Sequence, residues 1–210
     1  MVITHHKGEC FKVGYSTTTI AINPISKDSK LKPARFGSDI ALISLNDKDF
    51  NGVEQVTHGD KEPFVISGPG EYEVGNIAIR GFGSYSNYNG ENRPNTIYLI
   101  TLEGMNLCFL GALGAKGMDS KTLEGIENIN VLFVPIGGEG VLDSSQAHDI
   151  SVSLQPNIII PMHFDGIGKK GSLNTFLKEG GAEGVKPLEK LTIKKSDADT
   201  REGEVIVLSS

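Results

Sequence analysis

Tryptophan is absent from the 210 residues, and only two cysteines occur. Cys10 and Cys108 lie far apart, each in an apolar, strand-like segment, and they do not form a C-x-x-C pair. This spacing excludes a disulfide framework and a zinc knuckle. We therefore interpret both cysteines as small core residues.

Long hydrophobic runs are also absent. No segment approaches the roughly 18 consecutive apolar residues that a membrane span requires, and residues 1–13 contain no apolar core of signal-peptide length. The sequence therefore predicts a cytoplasmic protein that does not bind membranes.

Positive charge is scarce, with 20 basic against 26 acidic residues and a formal net charge of -6. An excess of negative charge repels the phosphates of nucleic acids and of anionic lipids. The tight lysine pairs are Lys169-Lys170 and Lys194-Lys195, and we interpret each as a solvated turn. Nucleic acid is not a predicted partner.

Glycine is abundant, with 26 residues, and hydrophobic residues make up 38% of the chain. This composition and length predict a single domain, residues 1–210, with many turns between short elements. β-branched content and Gly, Asn or Pro boundaries predict strands in the first half. These predicted strands are 2–5, 11–14, 18–22, 40–44, 64–66, 77–81, 96–102 and 107–110.

The second half alternates strands with helices. Segments 131–134 and 158–160 lack polar residues, which predicts strands covered on both faces. Between them, Asp143 or Ser144 can cap a helix that Pro156 ends. A second helix is predicted from Ser172 to the glycines at 180–181, followed by strands at 191–193 and 205–208.

The glycine-rich segments 68–70 and 137–140 do not match phosphate-binding loops. Neither segment ends in Gly-Lys-Ser/Thr, and the first leads into a strand-like stretch rather than a helix. We interpret both as tight turns. No Gly-x-Ser-x-Gly nucleophile motif is present.

The position of His163 makes it the best single site candidate. It follows a predicted buried strand, and layered α/β folds place ligands at the carboxyl ends of their strands. Asp47 and Asp49 follow the strand 40–44 in the same way. The competing interpretations are a hydrogen-bonded structural histidine and turn-forming aspartates. His148 lies on the outer face of its predicted helix and is interpreted as solvated.

Six segments in order resemble one known family: TTIAINP (18–24), DIALIS (39–44), GPGEYE (68–73), GALG (111–114), VLFVPIGG (131–138) and PNIIIPMH (156–163). The chain resembles the metallo-β-lactamase superfamily, particularly its branch similar to L-ascorbate-6-phosphate lactonases and related metal-dependent hydrolases. The resemblance implies an α/β (α+β) fold, a four-layer αββα sandwich.

The chain departs from the family at the metal ligands. The motif H-x-H-x-D-H should begin directly after Ser44, where this sequence reads LNDKDF. The resemblance places the residual ancestral site at Leu45, Asp47, Asp49, Phe50, Asn87, Ala112 and His163. Asp49 and His163 alone retain the residue type that the family has, and Asn23 replaces the aspartate usual before the early proline.

This loss of ligands carries a physical expectation. Zinc needs about four donors, at least three of them from protein, and leucine, phenylalanine and alanine supply none. We predict no metal cofactor; the alternative is zinc or manganese held weakly by His163, Asp49 and Asp47. Leu45 and Phe50 are predicted to fill the vacated pocket as core residues.

The leading functional hypothesis is a non-catalytic binding or assembly module, a pseudoenzyme whose partner is a protein or a small molecule and which self-associates. The alternative is a hydrolase of a lactone or phosphorylated sugar-like substrate. It would use a rearranged site built from Asp47, Asp49, His163, Glu71, His5 and His6. A third hypothesis drops the metal and pairs the carboxylate of Asp49 with His163 as the base.

Overall fold

The computed structural model describes residues 1–59 and 61–210, and its strands form two mixed sheets. The first sheet has the order β12-β1-β2-β3-β4-β5. Its strands are β1 (Val2–His5), β2 (Phe11–Tyr15), β3 (Thr18–Ile22), β4 (Ile40–Leu42), β5 (Phe64–Ile66) and β12 (Leu191–Thr192). The strands from β12 to β3 pair antiparallel, whereas β3, β4 and β5 pair parallel.

The second sheet has the order β13-β11-β10-β9-β8-β7-β6. Its strands are β6 (Gly70–Val74), β7 (Ile77–Ser86), β8 (Arg93–Leu102), β9 (Met105–Phe109), β10 (Val131–Pro135), β11 (Ile158–Met162) and β13 (Glu204–Val205). The strands from β6 to β9 pair antiparallel, and β9, β10, β11 and β13 pair parallel. The parallel strands of each sheet therefore bring several carboxyl ends together.

The main core lies between the two sheets. Alternate residues of each strand point inward, so that Phe11 and Leu42 of the first sheet pack in one cluster with Tyr98, Phe109 and Phe133 of the second. The Tyr98 hydroxyl donates to the Ile43 carbonyl at 2.8 Å. The buried hydroxyl thus joins the two sheets at the end of β4.

The helices are α1 (Ser120–Gly125), α2 (Ser144–Leu154), α3 (Ser172–Glu179) and α4 (Lys195–Ala198). Ala147 of α2 and Phe176 of α3 pack in one buried cluster with Leu132 and Val134 of β10, on the outer face of the second sheet. Strand β10 is buried on both faces, which explains its run of apolar residues without polar alternation.

The outer face of the first sheet is covered differently. Ala21 and Ala41 pack under Phe36, Val53 and Val56, which belong to an irregular segment with a 3-10 turn at Val53–Gln55. The predicted αββα sandwich is confirmed, with the difference that this outer layer is a loop and a 3-10 turn. Alanines permit the loop backbone to approach the sheet closely.

Most predicted elements are confirmed, and the differences have local causes. Strand β8 begins at Arg93, three residues before the predicted start, because it accommodates Pro94 beyond the part that β9 pairs. Short helices α1 and α4 were not predicted, since neither is long enough to show a helical hydrophobic period. Within the described residues, none of the helices has the length and apolar character needed to cross a bilayer.

Candidate functional site

The ends of three strands meet at one place between the sheets. The segment 44–50 follows β4, Ala112 follows β9, and His163 directly follows β11. Gly111 adopts a φ of 60°, and a Cβ there would lie 2.6 Å from the Asn95 Oδ1 and Ser44 Oγ atoms. Only glycine fits this close approach, which sets Ala112 beside the β4 end.

An apolar cluster occupies this meeting point. Leu45, Phe50, Tyr88, Ala112 and Val141 pack against one another, with Leu45 1% exposed and Phe50 and Ala112 fully buried. The expectation that Leu45 and Phe50 are core residues is confirmed. Carbon groups therefore occupy three positions at which the family resemblance implies metal ligands.

His163 lies fully buried beside the apolar cluster. Its ring stacks on Phe50 with centroids 6.2 Å apart and meets the Tyr88 ring edge-on at 5.4 Å. Its backbone has a φ of 63°, and its N–H donates to the Gly8 carbonyl at 2.9 Å. The β1–β2 turn thus holds a conformation that non-glycine residues seldom adopt.

A buried carboxylate orients the His163 ring. His163 Nδ1 lies 2.7 Å from Glu9 Oε1, and Asn23 Nδ2 donates to Glu9 Oε2 at 3.1 Å and to Ser44 Oγ at 2.8 Å. Burial raises the pKa of Glu9, and the hydrogen bond from His163 opposes that rise. His163 Nε2 has no hydrogen-bond partner among the described residues.

Asp47 and Asp49 are engaged in separate contacts above the apolar cluster. Asp49 accepts hydrogen bonds from the hydroxyls of Tyr88, at 2.7 Å, and Ser29. Asp47 Oδ1 accepts from the Asp49 N–H at 3.0 Å, while Oδ2 pairs with Arg93 at 3.1 Å. No hydrogen bond joins Asp49 to His163 within the described part of the chain, so the predicted carboxylate-base pair is not formed.

The structure separates Asn87 from the other predicted site residues. Asn87 is exposed, and its N–H donates to the Gly140 carbonyl at 2.9 Å. Its neighbour Tyr88 points into the cluster instead. Burial and the hydrogen bond to Asp49 raise the pKa of the Tyr88 hydroxyl above its ordinary value of 10.

The other candidate residues lie outside the apolar cluster. His5 is buried against Phe11, with ring nitrogens 3.3 Å from the carbonyls of Leu208 and Gly8. His6 packs on Phe36, and Glu71 is exposed on β6. They do not assemble with Asp49 and His163 into a rearranged site.

His148 and the cysteines behave largely as predicted. His148 is about one-third exposed on α2 and lines a surface cavity beside β13. Cys10 and Cys108 are free and buried, and burial raises the pKa of each thiol to about 12. Both thiols therefore stay protonated at neutral pH and are poor nucleophiles.

Sequence reasoning missed Glu9 and Tyr88, the two residues that contact the polar groups of this site. Glu9 follows a Lys-Gly pair in a short turn, which has the composition of an ordinary solvated turn. An acidic residue framed by Gly8 and Cys10, between two apolar strands, was the available signal of burial.

Comparison with protein families gives a match to the Beta-lactamase superfamily domain over residues 2–163 of the 210. The chain is also similar to curated proteins from Listeria welshimeri and Listeria innocua that are named metal-dependent hydrolases. Each is 25% identical over 79% of this chain and 86% of the relative.

Solved structures agree with this match. A protein of the metallo-β-lactamase superfamily from Thermotoga maritima is 25% identical with a TM-score of 0.79, covering 99% of this chain and 97% of that one. Igni18, a metallo hydrolase from Ignicoccus hospitalis, is 18% identical with a TM-score of 0.62, covering 92% and 99%. The second likeness shows the fold alone.

The prediction of no metal cofactor is wrong for the family in which the chain is placed. The Listeria relatives are named metal-dependent hydrolases, and the names imply a metal cofactor. The prediction failed because it was drawn from one motif of one sequence, without regard to what the relatives hold.

The side chains at the ends of β4, β9 and β11 nevertheless do not fit the family's metal centre. Leu45, Phe50 and Ala112 carry no donor atom, and His163 Nδ1 is bonded to Glu9. Within residues 1–59 and 61–210, no group of three or more His, Cys, Asp or Glu side chains is placed to hold a metal ion. A zinc site requires at least three protein donors.

Proposed function

Because the chain belongs to the β-lactamase superfamily domain family, we propose that it is a non-catalytic member of this fold that acts as a binding or assembly module. Its partner is a protein or a small molecule, or a second copy of the chain. The observation that carries the proposal is the burial of Leu45, Phe50 and Ala112 against His163.

Packing supports a structural role for this end of the sandwich. Phe50 and Leu45 are removed from water almost completely, and each such burial contributes roughly 1.5 to 3 kcal/mol to stability. A hydrolytic site needs space for a substrate and a water molecule beside its reactive groups. Rings and methyl groups in contact with His163 leave its buried edge closed to both.

Hydrogen bonding supports the same role. The polar atoms closest to the apolar cluster accept or donate internal bonds: Glu9 with His163 and Asn23, and Asp49 with Tyr88. A general base must have a lone pair directed at a proton of the substrate. These carboxylates are directed at protein donors, which makes them positioning groups for the loops.

One observation favours the alternative, a metal-dependent hydrolase of a lactone or a phosphoester. The Nε2 atom of His163 has no partner among the described residues, and a ring nitrogen in this state can bind a ligand. The hydrolase would require Phe50 and Tyr88 to move away from that nitrogen. The two functions therefore differ in whether His163 does chemistry.

A hydrolysis screen tests the proposal. Lactones, phosphomonoesters and phosphodiesters are incubated with the full chain, with and without added Zn²⁺ or Mn²⁺. His163→Gln removes the ring nitrogens, and His148→Gln is the matched control on a partly exposed histidine of α2. The proposal predicts rates equal to the protein-free blank for all three proteins.

The opposite pattern would overturn it. Turnover by the wild-type chain that requires added metal, is lost in His163→Gln and is retained in His148→Gln would assign hydrolysis to His163. Circular dichroism of both variants confirms that a lost rate is not lost folding.

A further inference from the structure

A second polar site lies outside the apolar cluster, between the first turns of α2 and α3. A cavity of about 260 Å³ is lined there by residues of both helices and of the loop before α3. Its polar lining includes Asp143, Ser145, Lys169, Lys170 and Ser172. The proposed function uses none of these residues.

The first turn of α3 presents free backbone donors to this cavity. Gly171 caps the helix with a φ of 87°, and no side chain caps it within the described residues. The Ser172 N–H bonds the Lys169 carbonyl at 3.2 Å, but the N–H groups of Leu173 and Asn174 have no intrahelical partner in a first turn. Such a terminus carries partial positive charge and favours anions.

The Ser172 hydroxyl is the independent sign of a ligand. Ser172 is 7% exposed and lines the cavity, and its Oγ has no hydrogen-bond partner among the described residues. Its carbonyl, in contrast, accepts from the Ser144 hydroxyl at 2.9 Å. A buried hydroxyl without a partner is destabilising, and an oxygen of a bound ligand would satisfy it.

The charges of the lining add to the same preference. Lys169 and Lys170 oppose the single carboxylate of Asp143, which is already bonded to the Gln146 N–H at 2.9 Å. The Lys169 N–H donates to the Gly137 carbonyl at 2.8 Å, so the loop that carries the lysines is fixed. In a chain of net charge -6, this gathered positive charge is local.

We propose that this cavity binds a tetrahedral oxyanion, a phosphate ion or the phosphate of a small phosphomonoester. The ligand oxygens accept from the Ser172 hydroxyl and from the N–H groups of Leu173 and Asn174, and Lys169 and Lys170 neutralise the ligand's charge. This site goes beyond the proposed function and holds whether or not His163 does chemistry.

Amide chemical shifts of the full chain, titrated with inorganic phosphate at constant ionic strength, test this site. We expect saturable shifts at residues 172–174. Lys169→Ala/Lys170→Ala should weaken binding roughly tenfold, whereas the matched pair Lys194→Ala/Lys195→Ala should change it less than about twofold. Equal loss in both double variants, or no saturable shift at 172–174, would overturn the proposal.

Two further arms identify the contacts and the source of the anion. Ser172→Ala removes a hydroxyl that has no internal partner, so the fold is retained and phosphate binding weakens about fivefold. Unchanged binding in Ser172→Ala contradicts the role given to that hydroxyl. Tighter binding of glycerol 3-phosphate than of phosphate supports the site as a phosphomonoester site, and the reverse order supports it as a site for the free ion.

Discussion

Phe50 shows at the scale of one residue how the end of β4 is stabilised. Its ring stacks on His163 and meets Tyr88 edge-on at 5.0 Å, geometries that add to the gain from burial. Leu45 and Ala112 fill the remaining sides. A side chain with a donor atom would gain nothing here unless a partner came with it.

Truncation of the ring should therefore be costly. We predict that Phe50→Ala lowers the free energy of unfolding by roughly 3 to 5 kcal/mol, since the buried ring leaves a cavity. Urea denaturation measures the loss. Phe64→Ala, at a phenylalanine that is 53% exposed, is the control and should cost much less; equal losses would show that Phe50 is not packed as described.

His5 gives the chain a pH dependence of known sign. Burial lowers the pKa of His5 below its ordinary value of 6.5, so that below pH 6.5 the unfolded chain binds more protons than the folded one. The stability that this neutral histidine contributes is present above pH 6.5 and is lost as the pH falls toward the folded pKa. Burial lowers the pKa of His6 as well, with the same sign.

The measurement is the free energy of unfolding in urea between pH 7.5 and pH 5. We expect stability to fall over this range by less in His5→Gln than in the wild-type chain. The exposed His58 supplies the control, since His58→Gln should keep the wild-type slope. Identical slopes in the wild-type chain and His5→Gln would contradict the buried, neutral state of His5.

At the scale of elements, the two main helices begin in different ways. Asp143 and Gln146 form a capping box at the start of α2, in which each side chain accepts from the other's backbone N–H. Helix α3 begins at Gly171 without a side-chain cap. The uncapped helix is the one whose first turn is available to a ligand.

The α2 cap can be tested by a matched pair of variants. Asp143→Ala removes the acceptor for the Gln146 N–H and should lower the free energy of unfolding by about 1 kcal/mol. Asp143→Asn keeps an acceptor oxygen, and we expect it to retain most of that stability. Thermal unfolding followed by circular dichroism compares the two. A larger loss in the asparagine variant would indicate that charge, rather than capping, stabilises this turn.

At the scale of the whole molecule, the end of the sandwich is held by bonds between the sheets. The Thr96 N–H of β8 donates to the Ser44 carbonyl at 2.9 Å, and the Ala112 N–H donates to Asn95 Oδ1 at 3.0 Å. The apolar cluster thus lies where both sheets are fixed. Polar substitutions here are expected to affect the stability of both sheets together.

Restoring the family motif tests this expectation. We predict that Leu45→His, Asp47→His, Phe50→His and Ala112→Asp combined give an unstable protein. Most of these changes bury a polar group in apolar packing, at roughly 1 to 3 kcal/mol each, against a typical total stability of about 5 to 15 kcal/mol. Thermal unfolding with and without zinc is the measurement. A variant that folds and gains stability and activity with zinc would mean that the backbone still holds a metal-binding geometry.

The sequence by itself determined the layered fold and the end of it that matters. Apolar runs without alternation at 131–134 and 158–160 predicted doubly covered strands, and Asp143 predicted the start of α2; both are local patterns that propensity and capping control. Strand-end position alone directed attention to His163. These features depend on residues near one another in the chain.

Only the tertiary structure decided which polar groups meet. Glu9 contacts His163 across 154 positions of sequence, and Tyr88 reaches Asp49 across 39. The pair Lys169-Lys170, predicted to be a solvated turn, lines a cavity with an unpartnered Ser172 hydroxyl. Such contacts depend on strand register and loop path over the whole chain, so no local pattern of residues could specify them.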